Sequence, residues 1–434
     1  MALIGAAVVV AVAVAAAVIV RDRVADDDDS PYPDEWAAQV QPIADWVVEE
    51  RELEFEHPVE VDLLTEDEYA DLAADQAGAL DAEEEQEAED TVALLRALGL
   101  ASGEVDLEAA GTDLLGKGSL AFYSYEEERV YVRGDELTPS VRVTLAHELT
   151  HVLQDQHFDL GRAPEGDDEA GSLRAIAEGD ANRIGDEYAE EELTSDERDE
   201  HEEGSAESSD TADEDLADVP PALVALSSAP YTLGEGFLAP LEDDNAAIDD
   251  VLEDPPSEQE LVDPQVRGSD RAEPVEVTAP EAPDGAEVVD EDTFGAVTWF
   301  LLLATRGEPA DALAVVDGWG GDAFVSYRED DRVCVEVVVA GDDDDATATF
   351  RDALDAWAAQ DPSGAATIEE VDDGVRLRSC DPGEDAEPVG EVPPDVIAFP
   401  LIRAQIEDTI QGETTASPEE ARCASDRILD ELSF

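Results

Sequence analysis

The chemistry in this sequence concentrates at His147-Glu148-Leu149-Thr150-His151, two histidines four residues apart with a glutamate directly after the first. On a helix, residues four apart share a face, so both imidazoles can reach one zinc ion at about 2.0–2.1 Å. Glu148 then lies beside the metal rather than on it, where it can take a proton from the water the metal activates and later deliver it to a leaving amine. With 5 His in 434 residues, chance yields on the order of 0.01 such patterns per chain, so the arrangement calls for a functional reading. His57 and His201 carry no comparable pattern and read as surface or loop residues.

A zinc of this type needs a third protein ligand and an open position. His157 has the spacing of the longer HExxHxxGxxH pattern, but Gln154 stands where that pattern needs a glycine to break the helix, and no methionine follows Met1 to form the accompanying turn. Glu178, 27 residues past His151 on the next expected helix, is the preferred third ligand, with Glu169 and Glu187 as less favoured alternatives. Asn182, four residues past Glu178, faces the same way and is expected to orient a ligand. Tyr231 is the expected donor to the oxyanion that peptide hydrolysis would create.

These residues need rigid supports. Thr138 followed by Pro139 is a helix start, with helical spacing to about Gln156; Leu145, Leu149, Val152 and Leu153 form its packing side, opposite His147, Glu148 and His151. A second helix is expected from Leu173 through Tyr188, and a hairpin from Phe122–Tyr125 and Arg129–Arg133 leads into the first. Upstream, Trp36, Val40, Ile43 and Val47 recur at helical spacing, Val59, Val61 and Leu63 alternate like a strand, and Thr65 with Glu68 forms a capping box. Glu190–Asp218 reads as a solvated loop or disordered insert, and Asp254–Asp292 as loop. Helical pieces are expected at Pro230–Leu241 and Ala246–Leu252, and a buried helix at Thr293–Thr305. Trp319-Gly320-Gly321-Asp322 reads as a tight turn with glycines at positive φ. Beyond it, strands at Ala323–Tyr327 and Val333–Val339, a helix over Ala346–Ala358, a hairpin turning at Asp373-Gly374 and two closing helices suggest a small α+β unit.

Composition narrows the class. The net charge of -92, from 115 acidic and 23 basic residues, excludes a general affinity for nucleic acid. Lys117 is the one lysine, and such self-repulsion is tolerable where concentrated salt screens it, so the chain reads as haloadapted. Met1–Val20 is continuously apolar and long enough for a membrane anchor or uncleaved signal, followed by an acidic tether over 21–34. For an extracellular body, Cys380 is expected to pair with Cys423, leaving Cys334 as a small core residue.

The run FYSYEEERVYVRGDELTPSVRVTLAHELTHVLQDQHFDL from Phe122 to Leu160 resembles the gluzincin-type surface metallopeptidases of archaea and bacteria. The likeness continues through Glu178-Gly179-Asp180-Ala181, Pro230-Tyr231-Thr232 with Gly234, Pro255-Pro256-Ser257-Glu258-Gln259 and Trp319-Gly320-Gly321-Asp322, in patches between Arg51 and Trp357; the acidic stretch from Glu190 departs from it. The resemblance implies a zincin fold, bound zinc and peptide hydrolysis. The expectation is therefore an α+β chain with an N-terminal transmembrane helix over 1–20, a zincin-like metallopeptidase domain over 35–305 and a smaller C-terminal α+β domain over 306–434. Its ligands would be His147, His151 and Glu178, its catalytic residues Glu148 and Tyr231, its substrate a peptide or protein, and its place the cell surface. The competing reading is a non-catalytic surface or adhesion protein whose zinc site is structural or degenerate; zinc-dependent hydrolysis of another bond is a third.

Overall fold

A computed structural model of the chain describes residues 32–77, 82–118, 120–134, 136–162, 168–216, 219–241, 244–267, 275–329, 332–360, 366–393 and 395–429. The chain is α+β. The expected membrane-spanning run over 1–20 lies outside the described residues, as does most of the expected tether; among the described residues no helix is long and apolar enough to cross a membrane.

The first part comprises α1 (Gln41–Arg51), β1 (Glu60–Leu64), α2 (Glu66–Ala77), α3 (Ala82–Ala97), α4 (Leu107–Gly118), β2 (Ala121–Ser124), β3 (Arg129–Arg133), α5 (Pro139–Phe158) and α6 (Asp168–Glu192). The expected capping box opens α2, with Thr65 N–H donating to Glu68 at 3.0 Å and Glu68 N–H to the Thr65 hydroxyl at 3.3 Å. The hairpin β2–β3 forms as expected, and β1 joins it in parallel, giving the order β1-β3-β2. α5 lies against this sheet and α1, and Leu145, Leu149, Val152 and Leu153 are all fully buried in their shared core. At roughly 1.5–3 kcal/mol for each such side chain, this apolar stripe dictates which face of α5 turns outward.

α7 (Ser195–Asp215), α8 (Pro221–Leu238), α9 (Asn245–Glu253) and α10 (Glu258–Val262) follow, then β4 (Glu287–Asp292), α11 (Gly295–Ala304), α12 (Pro309–Val316), β5 (Trp319–Glu329), β6 (Arg332–Gly341), α13 (Asp344–Ala359), β7 (Thr367–Val371), β8 (Gly374–Cys380), α14 (Ala398–Glu413) and α15 (Pro418–Leu429). The strands from β4 onward make an antiparallel sheet of order β4-β5-β6-β8-β7. All ten residues of α11 are buried, in one continuous apolar core with α8, α12, β5, β6 and α13. This sheet takes its edge strand β4 from before residue 305, where the domain boundary was expected.

Several local expectations are corrected. The acid-rich stretch expected as loop is helical over Ser195–Asp215 and packs on α4 and α5. Its start is a reciprocal cap, Thr194 N–H to Glu197 at 2.9 Å and Glu197 N–H back to the Thr194 hydroxyl at 3.4 Å, and Arg142 and His201 tie it to α5. Glu is a strong helix former, and the residues that face the rest of the fold, Glu197, Arg198, His201 and Gly204, are half-buried. The helix expected from Pro230 begins at Pro221, with Pro230 inside it. The 254–292 segment contains α10, a 3-10 turn at Pro264–Val266 and β4. Trp319-Gly320-Gly321-Asp322 is strand, not turn: a Cβ on Gly321 would meet Val275 O at 2.4 Å and one on Gly320 would meet the Gly341 backbone at 2.8 Å, so the glycines serve close backbone approach. Asp322 instead staples the turn into α11, accepting from both Trp299 and Trp319 Nε1 at 2.9 Å. The disulfide joins Cys334 to Cys380, which face each other across β6 and β8, and Cys423 is exposed and free.

Candidate metal centre

Local sequence aims the two histidines. Thr138 caps α5 through the Val141 N–H, Pro139 occupies its first position, and the apolar stripe fixes its rotation. α6 then crosses close by, presenting Glu178 to His147 and His151. Its own neighbour is α8, and the two helices touch glycine to glycine: a Cβ on Gly179 would lie 2.5 Å from the Gly234 carbonyl carbon, and one on Gly234 only 1.8 Å from Ala175 O. Those two glycines therefore let α8 bring Tyr231 beside Glu178, which gives the sequence pattern Glu178-Gly179 and Tyr231…Gly234 a physical cause.

His147 Nε2 and His151 Nε2 are 3.0 Å apart, and Glu178 Oε2 lies 3.2 Å from His151 Nε2 and 3.4 Å from His147 Nε2. A tetrahedral ion with ligands at 2.0–2.1 Å separates them from each other by about 3.3 Å, so this triangle matches one face of a zinc coordination shell. It is the group of three His, Cys, Asp or Glu ligand atoms that gathers this closely among the described residues. Burial opposes the charge of Glu178, but His151, His147 and Arg174 outweigh it and hold the carboxyl well below its usual range. Burial likewise disfavours a charged His151 ring, but Glu178 prevails and raises it to about 9. The donor set thus has one carboxylate for two imidazoles, the charge balance that a divalent cation would take over.

Glu148 is buried beside this triangle, and its carboxylate accepts the backbone N–H of Tyr123 on β2. Burial pushes its carboxyl up, against the pull of His147 and His151 toward the charged form. Tyr231, 36% exposed, sits where the charge of Glu178 holds its phenol above the usual range, so it remains a hydrogen-bond donor. Arg174 is bonded to Tyr231, and its Nε lies 3.6 Å from Glu178 Oε1. Tyr125, also exposed, lies within the fields of Glu178, Arg174 and Glu148, and lines an open cleft of about 450 Å³ with Tyr32, Glu126 and Glu128. Glu148 and Tyr231 therefore both border the triangle.

His157 points away, at the last turn of α5, with Nε2 2.8 Å from Glu54 O. Of the alternative ligands, Glu187 pairs with Arg183, and the side chain of Glu169 lies outside the described ones. The contact that orients His151 comes from Gln154, not from Asn182: His151 Nδ1 is 3.0 Å from Gln154 Oε1. Gln154, Arg174 and Tyr125 are the site residues that sequence reasoning did not assign. Helical spacing offered a signal for two of them, since Gln154 is three residues past His151 and Arg174 four before Glu178.

Residues 284–386 match a domain of unknown function, DUF8575. The match spans β4 to β8 and the helices between them, and His147, His151 and Glu178 lie in the part before it. No curated protein and no solved structure matches the chain.

Proposed function

We propose that this chain is a haloadapted, membrane-anchored zinc metallopeptidase acting at the cell surface. The observation that carries the reading is the triangle of His147, His151 and Glu178, with Glu148 buried next to it and outside the ligand set. A zinc ion held by the three would supply Lewis acidity toward a water and a substrate carbonyl. Glu148 would take the proton of that water and release it to the leaving nitrogen; its raised carboxyl suits both directions of transfer. Tyr231, kept protonated and bonded to Arg174, would donate to the developing oxyanion.

A peptide substrate is supported by β2. It ends its sheet among the described residues, and its Tyr123 N–H already meets Glu148, so an extended chain added along that edge would pass the catalytic carboxylate. A structural zinc site, the competing reading, has no use for an unligated buried carboxylate at this position. The apolar run over 1–20 supports the anchor and the net charge of -92 the salt adaptation. The test is chelator-sensitive cleavage of an unfolded protein in high salt. Glu148→Gln should keep its zinc and lose about 10²–10⁴-fold in kcat; equal rates for wild type and variant would refute a peptidase.

A further inference from the structure

Behind His151 lies a buried polar chain that reaches the last residue of α1. Gln154, Asp180 and Arg51 are each 0% exposed. Gln154 Nε2 donates to Asp180 Oδ2 at 2.8 Å and to Ala177 O at 3.1 Å. Arg51 Nε donates to the same Asp180 oxygen at 2.9 Å, and Arg183 to the other oxygen at 2.9 Å. Arg51 continues to Asp249 at 2.7 Å on α9, whose Asn245 bonds both Arg183 and the Glu50 carbonyl.

The direction of this chain is fixed by chemistry. A carboxylate between two guanidinium groups and a backbone carbonyl are both acceptors, so the end of Gln154 facing them must be its NH₂. Its oxygen must then face His151, and an amide oxygen only accepts. The proton shared between them therefore belongs to His151 Nδ1, so in the neutral ring that a metal requires the lone pair lies on Nε2, the nitrogen facing His147 and Glu178. We propose that Gln154, held by Asp180 and Arg51, is a positioning residue that locks His151 as the Nδ1–H tautomer and so prepares its Nε2 to bind metal. The inference rests on the zinc reading above and extends it: the last residue of α1, 129 residues before Asp180, becomes part of the metal centre's support. It also explains why the residue that breaks the longer histidine pattern is a glutamine, since here the helix continues and its next turn is needed as an acceptor.

The test uses the full chain, zinc-loaded in high salt, with two readouts: zinc affinity by chelator competition, and long-range proton–nitrogen spectra of the imidazoles, which are sparse because the chain has 5 His. Wild type should show zinc on Nε2 of His151 and an Nδ1–H protected from exchange. Gln154→Met should weaken zinc about 10–100-fold and expose that proton to exchange, while Gln154→Glu, which still accepts, should keep it protected. Zinc on Nδ1 of His151 in wild type, or wild-type affinity in Gln154→Met, would overturn the inference and leave the zinc reading intact. Wild type that binds no zinc overturns both. Should Gln154→Met fail to fold, the wild-type and Gln154→Glu spectra still decide.

Discussion

Arg174 and Glu178 stand one turn apart on α6, with Arg174 Nε 3.6 Å from Glu178 Oε1, while the opposite oxygen of the same carboxylate faces both imidazoles. Glu178 thus divides its two oxygens between an arginine and the two imidazoles. Arg174→Met should free the carboxylate to rotate and weaken zinc by about 10-fold, the lower end of what losing an outer partner costs. Because Arg174 also bonds Tyr231, kcat should fall further than zinc occupancy explains. Arg174→Lys should restore part of the affinity, measured by the same chelator competition, since the charge remains but the fork does not.

The glycine contact between α6 and α8 makes a second prediction. In Gly234→Ala the new methyl would stand 1.8 Å from Ala175 O, which is backbone and cannot yield locally, so the helices must part. Overpacking of this kind costs about 1–3 kcal/mol, and separation would draw Tyr231 away from Glu178. A lowered denaturation midpoint together with reduced activity at full zinc occupancy is the expected result; an unchanged midpoint would mean the crossing is looser than it stands here.

A pH dependence follows from α6 and α1. Burial and the neighbouring Glu50 raise the Glu187 carboxyl from 4.5 to about 7, with Arg183 opposing. An acid raised on folding contributes its stability below the unfolded value and loses it as pH climbs through the folded one. Glu187→Gln should therefore raise the melting temperature relative to wild type at pH 8, and the gain should vanish toward pH 4.5. Glu187 is about a third exposed, so solvent and salt keep the effect small. Parallel melting curves across that pH range would expose any independence from pH.

The disulfide separates two cysteines from a third. Cys334–Cys380 closes a loop with a sequence separation of 46, which in the chain-entropy account stabilises by about 4 kcal/mol. The Cys334→Ala/Cys380→Ala double variant should unfold at lower denaturant by that order, whereas Cys423→Ala, at an exposed position, should leave the midpoint in place.

The nearness of His147 to His151 was legible because it depends on helical spacing alone. Glu178 was expected as a candidate third ligand from its place on the next helix, and the structure brings its carboxylate to both imidazoles. What supports them was not legible, because it depends on contacts across the fold. Arg51 reaches Asp249 over 198 residues, and no local pattern marks either residue. Cys334 meets Cys380 through the β6–β8 register, which the sequence leaves undetermined until the strands pair. The helix over Ser195–Asp215 was missed for a different reason: its acidity reads as solvation, yet its fixing contacts are the few at Thr194, Glu197 and His201.

If His147, His151 and Glu178 together hold one zinc ion, metal content and affinity will show it. The full chain, purified in high salt, should carry one zinc per chain, with binding lost in His151→Ala and strongly weakened in Glu178→Gln. A wild-type chain that retains no zinc after loading, or a His151→Ala variant that binds as well as wild type, would mean that these three side chains form no zinc site.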